Sequence, residues 1–561
     1  MTLDHLLAPG TVRRAHELST LGGDVGAAAA ELVASLSAEP WGQVSVSVYE
    51  TGRLVSLAPW LTGHAARVEF LLAAQRPDGG WGAPGGYALV PTLSAVEALA
   101  AERGRGTSHA PLAVGGSVRR GLAALRRWAD APSGAGESRD GRHGGPYVPY
   151  DLRELPDMPA VELIVPDLVA RLNDHLAALG EGEPLALPRG MDGAKLTLVR
   201  TRLASGAAIP QKMLHALEVA ADAATGAPGV VPTLLQEGGD AAVGASPAAC
   251  AAWLGGSGAD SPVRRYLNRA VDHYGGPVPC ATPVTAFERG WTLSWLRRAG
   301  VPVSVPEELV AGLDAAIGPG GVAAGPGLPP DADTTSVGLY TLALLRVPRE
   351  PDALWAYETE THFCTWQGEE GASPTVNAHV LDAFGEYLRL AGAGAENARY
   401  TAATGKLSAW LRDRQLPEGS WRDRWHVSPY YATACCALAL GEYGGAESAP
   451  AVRAAVRWLL DTQREDGSWG HWAGTAEETA YALQTLLLTA SAPSAAPSVE
   501  EEERRVRAVR HGHRRLLAMV TGGGEPLEGP ALWHDKDLYY PAAIVRAAVL
   551  GALHLARRHG R

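Results

Sequence analysis

The chain has 561 residues, enough for two or more domains that each bury a full-sized core. Its 49 basic and 61 acidic side chains leave a formal charge of −12, which argues against a general nucleic-acid role. An anionic ligand must then be met by a local cationic pocket. The five cysteines are odd in number and lack a Cys-x-x-Cys pair, which argues against a disulfide framework or a zinc ribbon.

Residues 1–10 carry neither a basic region nor an apolar core of the signal-peptide kind, and no segment reaches the roughly 18 apolar residues of a membrane span. A soluble, cytoplasmic protein is the expectation. Alanine- and leucine-rich segments of helical length follow at 93–104, 115–129, 213–224, 376–393, 401–414, 451–463, 476–490 and 540–557. Gly/Pro turns separate them and strand signals are sparse, so the prediction is an all-α chain of helical hairpins. The stretches 104–150 and 225–262 are looser in composition, and the second is a candidate domain boundary.

A weak repeat runs through the chain: Phe70, Gln75 and Trp81, then Trp410, Gln415 and Trp421, then Trp458, Gln463 and Trp469. In each copy Gln follows the first aromatic by five positions and precedes Trp by six, with a Gly turn between. Such repeats belong to stacked helical hairpins, as in α-solenoids and α/α toroids. We read Gln as bonding backbone groups and Trp as covering the next helix end, both structural.

The most chemical stretch is Asp331-Ala-Asp333-Thr334-Thr-Ser336, which opens a helix-compatible apolar run. Neighbouring carboxyls that cannot both ionise leave one protonated at neutral pH. A protonated acid facing an apolar cavity is what an alkene needs in order to accept a proton. The same residues also suit plain helix capping.

Together with the repeats, this motif resembles the class II terpene cyclases, in their diphosphate-substrate branch. Further ordered blocks carry the resemblance: Ser47-Val-Tyr49-Glu50-Thr51, Val161-Glu162-Leu-Ile-Val-Pro166, Leu214-His215-Ala-Leu-Glu218, Phe287-Glu288-Arg-Gly-Trp291, Ser373-Pro-Thr-Val-Asn377-Ala-His379 and Leu532-Trp533-His-Asp-Lys536-Asp-Leu-Tyr539. The resemblance implies two α/α barrels, β (1–28 and 255–561) and γ (29–254), with a cavity between them. It implies no third domain of the ionising kind, since no aspartate-rich metal motif occurs, so a substrate diphosphate should survive.

By resemblance Asp333 is the general acid and Asp331 its support, with Thr334 standing where the common family form has another Asp. Burial and hydrogen bonding must then do more to hold the proton. His215 matches half of a plant-type base dyad whose Asn is replaced by Cys280, which implies another product or another base. For the diphosphate the resemblance points to Arg200 and then Lys536. Cation-stabilising aromatics are expected among Trp291, Trp366, Trp425, Tyr430, Tyr431, Trp533 and Tyr539. Mg²⁺ is the expected cofactor, with Glu154, Asp157 and Glu162 as its ligands.

The implied reaction is cyclisation of a linear prenyl diphosphate, geranylgeranyl diphosphate before farnesyl diphosphate, to a bicyclic diphosphate. A drimane-type C15 cyclase and a non-catalytic toroidal binding protein are the alternatives. The implied partners are the isoprenoid substrate and, downstream, a class I synthase or a phosphatase.

Overall fold

The computed structural model of the chain describes residues 24–106, 110–131, 148–180, 183–235, 239–257, 260–369, 371–392, 394, 397–491, 498–521 and 529–559. In chain order its first helices are α1 (Val25–Ala38), α2 (Val48–Leu57), α3 (His64–Ala73), α4 (Leu89–Arg105), α5 (Pro111–Asp130), α6 (Val161–Leu179) and α7 (Ala194–Ala204). A 3₁₀ segment (Gln211–Ala220) runs into the short α8 (Ala221–Ala224), followed by α9 (Pro247–Leu254), α10 (Pro262–Tyr274), α11 (Thr285–Arg298), α12 (Glu307–Ala316) and α13 (Ala332–Leu344). The rest are α14 (Pro374–Ala391), α15 (Ala398–Asp413), α16 (Pro429–Tyr443), α17 (Ala449–Thr462), α18 (Ala476–Leu488), α19 (Val499–Thr521) and α20 (Ala542–His559). Two small antiparallel pairs, β1–β2 (Thr233–Leu234 with Ala241–Ala242) and β3–β4 (Trp533–His534 with Leu538–Tyr539), are the strands among the described residues.

The helices close two rings. In the first, α11, α13, α14, α16, α18 and α20 each pack on the next, and α20 returns to α11. Helices α1, α12, α15, α17 and α19 lie outside that ring, each against inner helices. In the second, α2, α4, α6, the 3₁₀ segment and α9 close in the same way, with α3, α5, α7 and α10 outside. The fold is therefore two α/α barrels, as the resemblance implies. Sequence character sorts the layers. Inner α16 buries every residue from 430 to 440, whereas outer α10 buries only Val263, Tyr266, Leu267, Ala270 and Val271, one face at helical spacing.

Inner helices start on side-chain caps: Ser47, Ser246, Ser373, Ser428 and Thr475 each accept a first-turn N–H, a contact worth ~1 kcal/mol. The repeat joins layers. In its three copies Gln75, Gln415 and Gln463 donate to the Gly carbonyl four residues on, at 2.9, 2.8 and 3.0 Å. Each also reaches a carbonyl of the next outer helix, Ser117, Ala451 or Ala508. Trp81, Trp421 and Trp469 are fully buried, and each donates its indole N–H to the carbonyl ten positions before it. Their role is structural.

Two expectations need correction. The buried residues form two cores, one drawing on 25–44 and 284–556 and the other on 49–278. The crossings thus fall near 45 and 280, not at 28/29 and 254/255: α1 packs on α20 and α11, and α10 completes the second barrel. Residues 213–224 do not form a plain α-helix. Ala216 leaves helical geometry at φ −115°, so His215 and Lys212 lie on a kinked 3₁₀ segment. The five cysteines are free and buried, and no described helix is long and apolar enough to cross a membrane.

Candidate active site

Between the barrels lies a cavity of about 650 Å³, within the ~300–1,000 Å³ usual for small-molecule sites. Both cores line it, and so does the β3–β4 hairpin. Its surface is mainly apolar, with Leu163, Val199, Met213, Ala216, Val284 and Phe287 among the contributors.

Asp331 and Asp333 enter this cavity from the start of α13 and divide two tasks. Asp331 is the N-cap: Oδ1 accepts the Thr334 N–H at 2.6 Å, and Oδ2 accepts the Thr334 hydroxyl at 2.9 Å. The capping reading is therefore correct for Asp331, and Thr334 holds that carboxyl with two bonds. Burial, followed by the Asp333 charge, nonetheless pushes the Asp331 carboxyl up to about 7. Asp333, one turn-step further on, projects to α14, where its Oδ1 lies 2.6 Å from His379 Nδ1. Burial works against a charged His379 ring, but the Asp333 carboxylate outweighs it and raises the imidazole well above its ordinary range. The result is a carboxyl in an apolar cavity, backed by an imidazolium and neighboured by a second carboxyl that readily holds a proton.

The aromatic expectations divide. Trp366, Trp425, Trp533 and Tyr539 line the cavity, with Phe287 in addition. Trp366 and Trp425 meet edge to face at 5.2 Å. Trp291, Tyr430 and Tyr431 do not line it, contrary to expectation. Trp291 lies beneath Phe287 at 4.4 Å and donates to the Tyr431 hydroxyl, Tyr431 stacks on His426 at 4.5 Å, and Tyr430 packs on Trp458. Trp291 and Tyr431 thus back the lining rings Phe287 and Trp533, whereas Tyr430 faces the outer helix α17.

The cation assignments are corrected as well. Arg200 does not line the cavity; its guanidinium pairs with Asp167 at 2.5 Å and donates to the Val219 carbonyl. Lys536 is fully buried. Its three donors go to the His215 carbonyl, Glu218 and the Ser246 hydroxyl at 2.8, 3.0 and 2.9 Å, and Glu50 pairs with it at 2.7 Å. It ties the β3–β4 hairpin to the second barrel and has no donor to spare. Lys536 does reach the cavity wall, but its ammonium is spent on these partners; Lys195, Lys212 and Arg424 line the cavity as well. Lys212, exposed on the 3₁₀ segment, makes no ion pair or hydrogen bond among the described residues.

Glu154, Asp157 and Glu162 do not assemble as metal ligands. Asp157 pairs with Arg424 at 2.9 Å, Glu162 pairs with Lys195, and Glu154 does not line the cavity. Among the described residues no three His, Cys, Asp or Glu side chains are arranged to hold a metal ion.

Comparison with known proteins fits this geometry. The family profile of the squalene-hopene cyclase C-terminal domain matches residues 370–521. Over 538 residues the chain is 41% identical to an ent-copalyl diphosphate synthase of Streptomyces sp. (strain KO-3988), covering 95% of this chain and 96% of that one. It is 40% identical over 546 residues to a labda-7,13-dienyl diphosphate synthase of Streptomyces clavuligerus, covering 94% and 92%. The solved structure of ent-copalyl diphosphate synthase from Streptomyces platensis superposes with a TM-score of 0.85 at 41% identity, covering 95% of this chain and 99% of that one.

The chain belongs to the class II terpene cyclases.

In this cyclase the blocks that carried the resemblance meet in space. Ser47 and Tyr49 bond Asp537, Tyr49 bonds Glu218 at 2.7 Å, and Glu50 bonds Ser246 while pairing with Lys536. They weld the two barrels beside the cavity. Sequence reasoning missed His379, although its block was in view. The usable signal was a histidine set among Val376, Ala378 and Val380 in the buried first half of α14, since an imidazole buried there needs a partner. Phe287 was missed as a lining ring for want of any pattern separating it from core.

Proposed function

We propose that the cyclase converts geranylgeranyl diphosphate to a bicyclic, labdane-type diphosphate with the diphosphate retained. The observation that carries this is the Asp333 carboxyl, set in an apolar cavity between the barrels and backed by His379 at 2.6 Å. Asp333 delivers its proton to the terminal alkene, and the carboxylate left behind accepts the His379 Nδ1–H. The charge that develops on Asp333 is thus met by a donor already in place. Asp331 holds the replacement proton. The rings of Trp366, Trp425, Trp533, Tyr539 and Phe287 face the cationic chain, each contact being worth ~0.5–2 kcal/mol. The relatives' names, copalyl and labdadienyl diphosphate synthase, favour a C20 substrate and lend nothing to the drimane or non-catalytic alternatives.

The diphosphate is assigned to the basic rim of Lys195, Lys212 and Arg424. A hydrogen bond to a charged group contributes ~1.5–3 kcal/mol. Lys212→Ala should therefore raise KM about 10-fold with little change in kcat, and Arg200→Ala should leave KM where it is. Steady-state kinetics on the two variants checks both. Magnesium is proposed as a counter-ion carried in on the diphosphate, with no ligand set assigned to it. A product that keeps its diphosphate suits consumption by an ionising synthase or a phosphatase.

The pH dependence follows from Asp331. Its carboxyl is raised to about 7, so the proton it holds is present below that pH and lost above it. The expected result is a kcat that falls on the alkaline side with an apparent pKa near 7, measured from about pH 6 to about pH 9.

The direct test incubates the protein with geranylgeranyl and farnesyl diphosphate, dephosphorylates the products and identifies them by mass spectrometry. A cyclic C20 alcohol supports the reading. Only linear geranylgeraniol from folded protein overturns it, and a cyclic C15 alcohol instead moves the substrate to farnesyl diphosphate.

A further inference from the structure

Cyclisation by proton addition ends only when a proton leaves the final cation, and the residue expected for that role cannot serve. His215 lines the cavity, but its Nδ1 lies 2.6 Å from the Gly244 carbonyl and its Nε2 lies 2.7 Å from Asp535 Oδ1. A carbonyl only accepts, so Nδ1 carries a proton. Burial opposes a charge on this ring, yet the Asp535 carboxylate prevails and raises it, so Nε2 carries a proton too. An imidazolium with both N–H groups engaged has no lone pair to offer.

The other lining groups drop out on geometry. His534 donates from Nδ1 to the Arg424 carbonyl, and its Nε2 is buried away from the cavity, with the ring against Tyr87. Glu369 accepts from Arg424 and the Thr365 N–H, and Asp157 and Glu162 are paired at the basic rim. Cys280 stands where the plant dyad has Asn, and burial pushes its thiol well above its ordinary range. It stays a neutral thiol.

Asp535 remains. It sits in the β3–β4 turn where the barrels meet, lines the cavity and is 15% exposed there. Its Oδ1 accepts both the His215 Nε2–H and the Lys536 N–H, at 2.7 and 2.6 Å. No described hydrogen bond reaches Oδ2. One oxygen is therefore anchored on both sides and the other is open to the cavity. We propose that Asp535 is the catalytic base of the cyclase, and that His215 is a positioning residue which orients it. Burial disfavours the Asp535 charge, but His215 more than compensates and keeps the carboxyl below its usual range. A weak base suffices, because a C–H bond beside a carbocation is far more acidic than any carboxylic acid.

The step balances. Asp535 Oδ2 takes a proton from a carbon next to the tertiary cation left by the second ring closure. The C–H bond breaks, its electron pair forms the product alkene, and an O–H bond forms on Asp535. That proton then returns to solvent. Asp333 loses one proton and Asp535 gains one, so substrate and product are isomers.

This inference rests on the proposed cyclase reading, and the test keeps the two apart. Asp535→Asn preserves both acceptor contacts of Oδ1 and removes the base. Wild type, Asp535→Asn and His215→Gln are each given geranylgeranyl diphosphate, with folding followed by circular dichroism. Products are read as share of wild-type olefin against water-captured alcohol or shifted alkene. For Asp535→Asn the expected result is at least about a tenfold fall in that share, with captured product rising. His215→Gln is expected to give the wild-type olefin more slowly, because the carboxylate is still present. Wild-type olefin share and rate in Asp535→Asn overturn the assignment. So does loss of the olefin to captured product in His215→Gln, which holds even if Asp535→Asn fails to fold. If the wild type itself makes no cyclic product, the cyclase reading falls and the base with it.

Discussion

Asp333→Asn is expected to lower kcat by at least about 10³-fold, because the neighbouring acid, Asp331, has both oxygens turned to Thr334 and is not placed to deliver a proton to the substrate directly. The fold should survive. Asp333 is not the helix cap, Asn still offers an oxygen to His379, and a His379 ring without its counter-charge can shed its proton. Product formation by mass spectrometry, beside a thermal melt, separates loss of chemistry from loss of structure. Asp331→Asn supplies the contrast. Asn caps helices about as well as Asp, so that variant should keep its melting temperature and lose only the proton reserve. Its rate should fall less than that of Asp333→Asn, and its alkaline limb near 7 should disappear. If both variants turned over at the wild-type rate while folded, neither carboxyl would be the acid and the two would be caps only.

How much of this was readable beforehand depended on whether the deciding interactions were local. The cap at Asp331 and the carboxyl two residues on are local, and so is the Gln–Gly–Trp turn with its i to i+4 glutamine bond. All were legible as motifs. Stacked hairpins followed from the repeat, since a hairpin with one apolar face must stack on another, but closure into two barrels followed from the family resemblance. The partner of Asp333 was not legible, because His379 comes from another helix 46 positions away. The same holds for the cations. Arg200 and Lys536 read as anion ligands, yet they answer Asp167 and Glu218, the latter 318 positions from Lys536. A positive charge in a motif does not say which negative charge it meets. The barrel crossing was misplaced because the loose composition of 225–262 looks like a linker, whereas α10 just beyond it buries its apolar face on the second core.

Lys536→Met is expected to damage the fold before it touches binding. The ammonium stands between Glu50 and Glu218 in a fully buried cluster joining the barrels. Removing one member of a buried ion pair costs ~3–5 kcal/mol, against a total stability of ~5–15 kcal/mol for a folded domain. Urea or thermal unfolding should show the loss directly. Its pH dependence identifies the cause. Burial already raises the Glu50 carboxyl to about 7, even though Lys536 pulls it down. Without the ammonium, burial drives the Glu50 carboxyl further toward the neutral acid in the folded state, while it ionises freely in the unfolded one. The variant should therefore be most stable below the unfolded carboxyl range and lose stability as pH rises through the raised folded value of Glu50, so its deficit widens from about pH 6 to about pH 8. Adding Glu218→Gln should recover part of the deficit by removing the second charge. If Lys536 instead held the substrate diphosphate, Lys536→Met would unfold like the wild type and show its defect in KM. A normal melt with a raised KM would return Lys536 to the binding site and remove it from the weld between the barrels.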